Sequence, residues 1–182
     1  MDEITLLLSK AHAEFRKLRN GEVGDNLRAQ GIDYKTIWGL ESYRLKGIAE
    51  LLLPEIETQE MQAALAGRLW EEEVRESKML ATRLYPKELM TEPVAQQWAS
   101  AIRYTELADQ ACMNLFARLP FAEALVSKWM DGNDLLQYMA LQIILRLELP
   151  CWQERATQLA QDTRRPMWLR VSAARTASEY SE

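Results

Sequence analysis

The chain has 182 residues, of which 48% are hydrophobic and 27% are charged, and this length and composition predict a single domain over residues 1–182. The formal net charge is −5, which disfavours a bulk electrostatic attraction to nucleic acid or to anionic lipid. No long apolar run and no signal-peptide pattern is present, so we expect a soluble, cytoplasmic protein without a membrane partner.

The first predicted element is a helix from about Glu3 to Leu18, whose apolar positions repeat every three to four residues. Asn20 followed by Gly21 indicates the end of that helix. The glycine-rich stretch over residues 21–35 is typical of a connection, with one short helical turn near residues 26–30. This part of the chain therefore predicts one long helix and a loop.

The rest of the chain shows the same helical period, and the alternation expected of strands is absent. Prolines and capping residues divide it, as where Pro54 ends one helix and Thr58 can cap the next. Further helices are predicted at 39–53, 58–70, 72–85, 92–103, 105–119, 121–130, 134–147, 152–162 and 167–179. The sequence therefore predicts an all-α fold.

Alternate predicted helices begin about 30 residues apart, near Leu40, Glu72, Thr105, Asp134 and Met167. This spacing is expected when two-helix units stack, so it predicts a HEAT-like α-α superhelix, a solenoid of about five helix pairs. The alternative is a compact helical bundle without repeats, which the same apolar stripes would also build.

The residue counts give little support to metal or disulfide chemistry. The two cysteines, Cys112 and Cys151, lie far apart in the sequence, and His12 is the single histidine. They form no CxxC pair, and spacing places no acid or nucleophile beside His12. Glycine-rich phosphate loops are also absent from the sequence. We therefore expect no metal site and no cofactor.

Three segments carry a resemblance to a known family: EEVRESKMLATRLYP, TEPVAQQWASAIRYTELADQACMNLFARLP and FAEALVSKWMDGNDLLQYMALQIILRL. They are similar to the central repeats of the AlkD-like DNA alkylation repair family, which contains HEAT-repeat DNA glycosylases and non-enzymatic relatives. The similarity extends from about Trp38 to Leu147. It implies a concave groove that binds duplex DNA, and an enzyme that releases cationic alkylated purines by cleaving the N-glycosidic bond.

The resemblance also implies where the reaction takes place. The family's Trp-Trp-Asp-x-x-Asp segment corresponds to residues within Arg103 to Asp109, so Asp109 becomes the expected catalytic acid. Glu106 keeps the earlier carboxylate, whereas Tyr104 and Thr105 replace the paired tryptophans. At most one aromatic face therefore remains at this position, which weakens the stabilisation of a positive charge.

In the next repeat, Trp129 matches a tryptophan of the family. The cluster where an arginine and a tryptophan are expected is occupied by Leu135, Leu136, Gln137 and Tyr138. The residues expected to face sugar or base are Tyr104, Glu106, Trp129 and Tyr138. Those expected at the DNA backbone are Arg75, Lys78, Arg103, Arg164, Arg165 and Arg170. Loss of the arginine removes a phosphate clamp, so we expect weaker, salt-sensitive binding of duplex DNA.

The sequence leaves open the roles of Asp109 and Tyr104 and the function of the whole chain. Asp109 near a helix start also suits the helix dipole and an ion pair with Arg103, Arg75 or Lys78 on a neighbouring helix. Tyr104 also suits a core position between helices. The alternative function is a non-catalytic HEAT-repeat scaffold that binds a protein partner or structured DNA. A positive inner surface favours DNA, and a neutral or acidic one favours a protein.

Overall fold

A computed structural model describes residues 2–180, and among these residues the regular structure is helical, without a β-strand. Three short 3-10 helices occupy Leu53–Glu55, Phe116–Arg118 and Pro150–Trp152. The described α-helices are α1 (Glu3–Leu18), α2 (Gly21–Ala29), α3 (Ser42–Leu52), α4 (Gln59–Glu71), α5 (Arg75–Leu84), α6 (Glu92–Ala101), α7 (Thr105–Asn114), α8 (Ala122–Trp129), α9 (Asp134–Leu147), α10 (Gln153–Gln161) and α11 (Met167–Glu179).

The all-α prediction is confirmed, and α1, α9 and α11 have the predicted bounds. Helix ends can be predicted from the sequence where a nearby side chain caps them. The side chain of Asn133 accepts a hydrogen bond from the backbone N–H of Leu136 at 3.0 Å, which starts α9. Thr58 caps α4 as predicted, because its hydroxyl accepts the backbone N–H of Met61 at 3.1 Å.

The connection predicted over residues 21–35 is wrong in its first half. Asn20 begins a helix, because its side-chain oxygen accepts the backbone N–H of Val23 at 3.3 Å and α2 follows from Gly21 to Ala29. Asparagine is favoured both after a helix and at the cap that starts one. Here Asn20 caps the start of α2, immediately after α1 has ended.

The chain divides between Leu89 and Met90 into two compact units. In the first unit α5 packs on α3 and α4, and α1 packs on the same two helices. In the second unit α9 contacts α7, α8 and α11, and α10 packs on α11. In each unit, odd-numbered helices pack side by side, as α3 and α5 do in the first and α7, α9 and α11 do in the second. Even-numbered helices pack on the odd-numbered helix that follows them, as α4 does on α5 and α10 on α11. This repeated arrangement is that of an α-α solenoid. The single domain over 1–182 stays a prediction.

A buried carboxylate connects α5 to the loop between α2 and α3 in the first unit. Glu76 has no exposed surface, and its oxygens accept the backbone N–H groups of Trp38, Gly39 and Leu40 at 2.9, 3.0 and 3.2 Å. Arg75 donates to the same carboxylate at 2.6 Å and to the carbonyl oxygen of Leu40 at 3.0 Å. A charge is tolerated in a protein interior when its hydrogen-bonding capacity is used in this way.

Gly39 gives the loop its conformation. Its φ is +75°, and an added Cβ would lie 2.1 Å from the backbone oxygen of Asn20. Only glycine combines a positive φ with so close an approach of another backbone. The backbone N–H of Asn20 also donates to the carbonyl oxygen of Trp38 at 2.8 Å. The start of α2 and the carboxylate on α5 therefore hold the same short loop.

Within residues 2–180, none of the helices combines the length and the apolar character needed to cross a membrane. The same residues contain no group of three or more His, Cys, Asp or Glu side chains placed to hold a metal ion. The two thiols are unbridged, and Cys112 is buried while Cys151 is exposed.

Candidate functional site

A cavity of about 440 Å³ in the second unit is lined by residues of α7, α9 and α11. We call it the Asp109 cavity. Its lining includes Asp109 from α7, Tyr138 and Arg146 from α9, and Trp168 and Arg175 from α11. On each helix the lining positions are three or four residues apart, so each helix contributes one face. The three faces bring together an acid, two aromatic rings and two guanidinium groups.

Asp109 is half-buried, and its Oδ1 accepts a hydrogen bond from the Tyr138 hydroxyl at 3.0 Å. Burial raises the pKa of this carboxyl group above its usual range. The hydrogen bond from Tyr138 and the charges of Arg146 and Arg175 act in the opposite direction and lower that pKa. The site therefore holds an acid that is partly desolvated and oriented by one donor, with two cations nearby.

Tyr138 is the residue that orients Asp109. Burial raises the pKa of its hydroxyl, and the neighbouring Asp109 charge raises it further, so the group stays protonated and donates. The ring of Trp168 packs edge-on against the Tyr138 ring at a centroid distance of 5.6 Å. Because 40% of Trp168 is exposed, this aromatic pair contributes both to packing and to the accessible surface of the cavity.

Hydrogen bonds between side chains keep α9 and α11 in register beside the cavity. The side-chain amide of Gln142 donates to the hydroxyl of Ser172 at 3.1 Å. Arg146 donates to the backbone oxygen of Gln142 at 2.8 Å and to its side-chain oxygen at 3.2 Å. The guanidinium group of Arg146 is thus held at the cavity wall by its own helix.

The structure corrects the expectation that Trp129 faces a sugar or a base. Trp129 has no exposed surface, and its ring packs edge-on against Phe116 at 5.2 Å. Its indole N–H donates to the side-chain oxygen of Gln96 at 2.7 Å. A ring enclosed by the core with its polar atom satisfied is a packing residue, so its burial conflicts with the predicted role.

Burial also conflicts with the predicted phosphate contacts of Arg75 and Lys78. Arg75 is 5% exposed and donates to Glu76 and Leu40 as described above. Lys78 is 7% exposed, donates to the backbone oxygen of Trp70 at 2.6 Å, and lies 5.3 Å from the centre of the Trp70 ring. Both side chains lie in the interior of the first unit and donate to oxygen atoms of the protein.

The other predicted residues lie at the surface of the second unit, outside the lining of the Asp109 cavity. Arg103 is exposed, with its guanidinium group 5.6 Å from the centre of the half-buried Tyr104 ring. The negative charge of half-buried Glu106 contributes to the raised pKa of Asp109. Arg164, Arg165 and Arg170 lie around the turn between α10 and α11. Of the predicted set, only Asp109 and Tyr138 meet in the cavity.

The charged and aromatic residues of the cavity that the sequence did not predict are Arg146, Trp168 and Arg175. Trp168 and Arg175 lie on α11, outside the segments that carry the family resemblance. Arg146 shares a face of α9 with Tyr138, and Trp168 shares a face of α11 with Arg175. The spacing alone does not show that these two faces meet. Only the packing of α11 on α9 brings them to the acid.

A family model described as "DNA alkylation repair enzyme" matches residues 11–163 of the chain. The match covers Asp109, Tyr138 and Arg146, and it ends before Trp168 and Arg175. Comparison with curated proteins and with solved structures gave no match.

Proposed function

The chain belongs to the DNA alkylation repair enzyme family, and from this premise we propose that it binds alkylated duplex DNA at the Asp109 cavity and releases cationic alkylpurines. A role in DNA alkylation repair follows from the family match. The site, the substrate and the reaction are the proposed part.

The observation that carries the proposal is the placement of Asp109 in an accessible cavity with Tyr138 as its donor. A carboxylate that serves only stability is usually surrounded by partners, as Glu76 is. Asp109 instead keeps acceptor capacity beside a cavity large enough for a nucleoside-sized group. A desolvated, oriented carboxylate in a cavity is a recurrent feature of catalytic sites.

Cleavage of an alkylated nucleoside needs such a carboxylate. Alkylation at N3 or N7 makes the purine cationic, so the base departs with the electron pair of the N-glycosidic bond and leaves as a neutral molecule. Positive charge then develops on the deoxyribose, as in other reactions with oxocarbenium-like transition states. The negative charge of Asp109 stabilises that cation, and a water molecule adds its oxygen to C1′ and loses a proton to solvent.

The aromatic pair has a supporting role in the proposal. A cation over the face of a tryptophan is stabilised by about 0.5–2 kcal/mol, depending on how far water is excluded. Trp168 is 40% exposed and lines the same cavity as Asp109. We place the cationic base or the cationic sugar against the accessible part of this ring.

The basic residues of the second unit supply the contacts to DNA phosphates in this proposal. Arg146 and Arg175 line the cavity, and they are joined by Arg103, Arg164, Arg165 and Arg170 from the predicted set. Each phosphate contact contributes to a binding constant that falls as salt increases. Because the whole chain carries a charge of −5, we expect this salt dependence to be marked and the affinity to be modest.

A second candidate function is a scaffold that binds a protein partner without catalysis. The observation in its favour is the exposure of large apolar side chains in the first unit, where Leu6 is 53% and Tyr43 is 63% exposed. Exposed apolar surface is a common feature of protein-binding sites. This function predicts no preference for alkylated DNA.

A titration distinguishes the two candidates. Fluorescence anisotropy with an N7-methylguanine duplex should show binding at about 50 mM salt and markedly weaker binding at about 150 mM. Changing Arg146 and Arg175 together to glutamine should weaken binding at least about tenfold. The exposed Arg118→Gln in the same unit is the matched control and should have little effect. Absence of binding at both salt concentrations would reject the DNA-binding proposal and favour the scaffold.

A further inference from the structure

A second cavity, of about 470 Å³, lies in the second unit beside α9 and α10. Its lining includes Gln137 from α9, Arg155 from α10, and Arg164 and Arg165 from the turn that follows α10. We call it the Gln137 cavity. It shares no lining residue with the Asp109 cavity, in keeping with the angle of about 100° between successive side chains around a helix.

Gln137 has an incomplete set of hydrogen bonds. The side chain is 2% exposed, and its Nε2 donates to the backbone oxygen of Met130 at 3.0 Å. Its Oε1 is buried and has no hydrogen-bond partner among the described residues. Turning the amide over would bring this oxygen against the Met130 oxygen, so the acceptor stays unsatisfied in either orientation. Buried acceptors of this kind are rare unless a ligand or water supplies the donor.

The arginines of the cavity provide N–H donors for an anion. The lining contains three arginines and one acid, Asp162. Asp162 accepts from the Nε of Arg164 at 2.8 Å and from its Nη2 at 3.0 Å. A guanidinium group has five N–H donors, and the side chain of Arg164 is 87% exposed, so donors remain for an anion. Arg165 donates to Asp134 at 2.8 Å, which holds it at the cavity.

We propose that the Gln137 cavity binds a nucleotide, with its phosphate against Arg164 and Arg165 and an O–H or N–H group of its sugar or base donating to Gln137 Oε1. The ligand then supplies a donor for the buried acceptor, and its phosphate takes up N–H donors of Arg164 that the ion pair with Asp162 leaves unused. The volume is several times that of a phosphate ion and lies in the range of small-molecule sites, about 300–1,000 Å³.

This site does not rest on the proposed repair reaction, because it uses none of the residues that line the Asp109 cavity and requires no lesion. Arg164 and Arg165 are the residues that it shares with the proposed DNA contacts. The nucleotide is recognised through hydrogen bonds and charge, since Leu159 is the sole apolar side chain in the described lining. We therefore expect a modest affinity, with a dissociation constant on the order of 1 mM or tighter.

An NMR titration of the whole chain with three probes tests the proposal. Deoxyadenosine 5′-monophosphate should bind at least about tenfold more tightly than inorganic phosphate and should shift the side-chain amide signals of Gln137. Deoxyribose 5-phosphate separates the two donor sources. Binding equal to that of the nucleotide assigns the donor to the sugar, and weaker binding assigns it to the base. A nucleotide that binds no more tightly than phosphate would overturn the proposal.

Variants locate the ligand. Arg164→Gln changes an exposed side chain and should weaken nucleotide binding at least about tenfold. Gln137→Met keeps the side-chain volume and should reduce the affinity for the nucleotide to that for phosphate. Arg118→Gln is the surface control in the same unit and should change the affinity less than about twofold. Unchanged affinity in Arg164→Gln or Gln137→Met, or shifts confined to the Asp109 cavity, would contradict the proposal.

Discussion

Each unit of this protein places a desolvated carboxylate on an odd-numbered helix, and the two carboxylates have opposite surroundings. Glu76 on α5 is completely buried and accepts hydrogen bonds from three backbone N–H groups and from Arg75. Asp109 on α7 is half-buried, accepts from Tyr138 and lines a cavity. The acceptor capacity of Glu76 is used within the fold, whereas Asp109 retains capacity for a ligand.

This difference separates an acid that stabilises the structure from the acid that we propose as the catalytic one. Removal of a fully paired buried charge leaves its partners unsatisfied, so the cost appears as lost stability. Removal of a partly desolvated charge at a cavity relieves an unfavourable burial, so the cost appears as lost function. The two carboxylates should therefore respond to the same substitution, acid to amide, in opposite ways.

The largest effect is expected for Glu76→Gln. The substitution removes the negative charge to which Arg75 donates and turns an N–H₂ group toward the backbone N–H of Trp38. We expect the free energy of unfolding, measured by urea denaturation, to fall by about 3–5 kcal/mol. The exposed Glu60→Gln on α4 is the matched control and should cost less than about 0.5 kcal/mol. Equal losses in the two variants would contradict the structural role of Glu76.

The loop held by Glu76 offers a second test. Gly39→Ala forces an L-residue to a φ of +75° with its Cβ against the Asn20 backbone, so we expect a loss of about 2 kcal/mol or more. Gly47→Ala, inside α3 with open space around the added Cβ, should instead stabilise by about 0.5–1 kcal/mol. Thermal unfolding of the two variants should give shifts of opposite sign, and a stable Gly39→Ala would refute the loop conformation.

A smaller effect is expected for Tyr138→Phe in the second unit. Loss of one hydrogen bond should lower the free energy of unfolding by about 1 kcal/mol. Because that hydrogen bond lowers the pKa of Asp109, its removal should raise this pKa further. NMR titration of the Asp109 carboxyl carbon measures the change. An unchanged midpoint in Tyr138→Phe would show that the hydroxyl does not orient the carboxylate.

The smallest effect concerns stability and pH in Asp109→Asn. The pKa of Asp109 is raised in the folded protein, so the folded state binds the proton more tightly than the unfolded chain does. The stability from this proton is present at acid pH and is lost as pH rises through the folded pKa. Relative to the wild type, Asp109→Asn should therefore gain stability from about pH 4 to pH 7, by less than about 1 kcal/mol. Urea unfolding at both pH values measures this, and a relative loss would contradict the raised pKa.

The helices were predictable because the signals that start and end them are local. Asn133 caps α9 and Thr58 caps α4 through contacts three residues away, which a sequence displays directly. The start of α2 was missed because Asn20 followed by Gly21 suits the end of one helix as well as the start of the next. Local chemistry thus determined most boundaries and left this one ambiguous.

The candidate site was predictable only where the family resemblance carried a residue over. Asp109 and Tyr138 were chosen in this way, and the structure brings them together. Trp129 was misassigned because its burial depends on Phe116 and Gln96, which lie on other elements. Trp168 was overlooked because its approach to Tyr138 depends on the packing of α11 on α9. Periodicity shows which residues share a face and not which faces meet.

Release of N7-methylguanine from duplex DNA tests the central claim, that Asp109 is the catalytic carboxylate, most directly. The wild type should release the base, and Asp109→Asn should release it at least about 10²-fold more slowly, because the developing charge on the sugar loses its counter-charge. Circular dichroism and urea unfolding should show that the variant remains folded. Equal rates in the two proteins, or no release by the wild type, would contradict the claim.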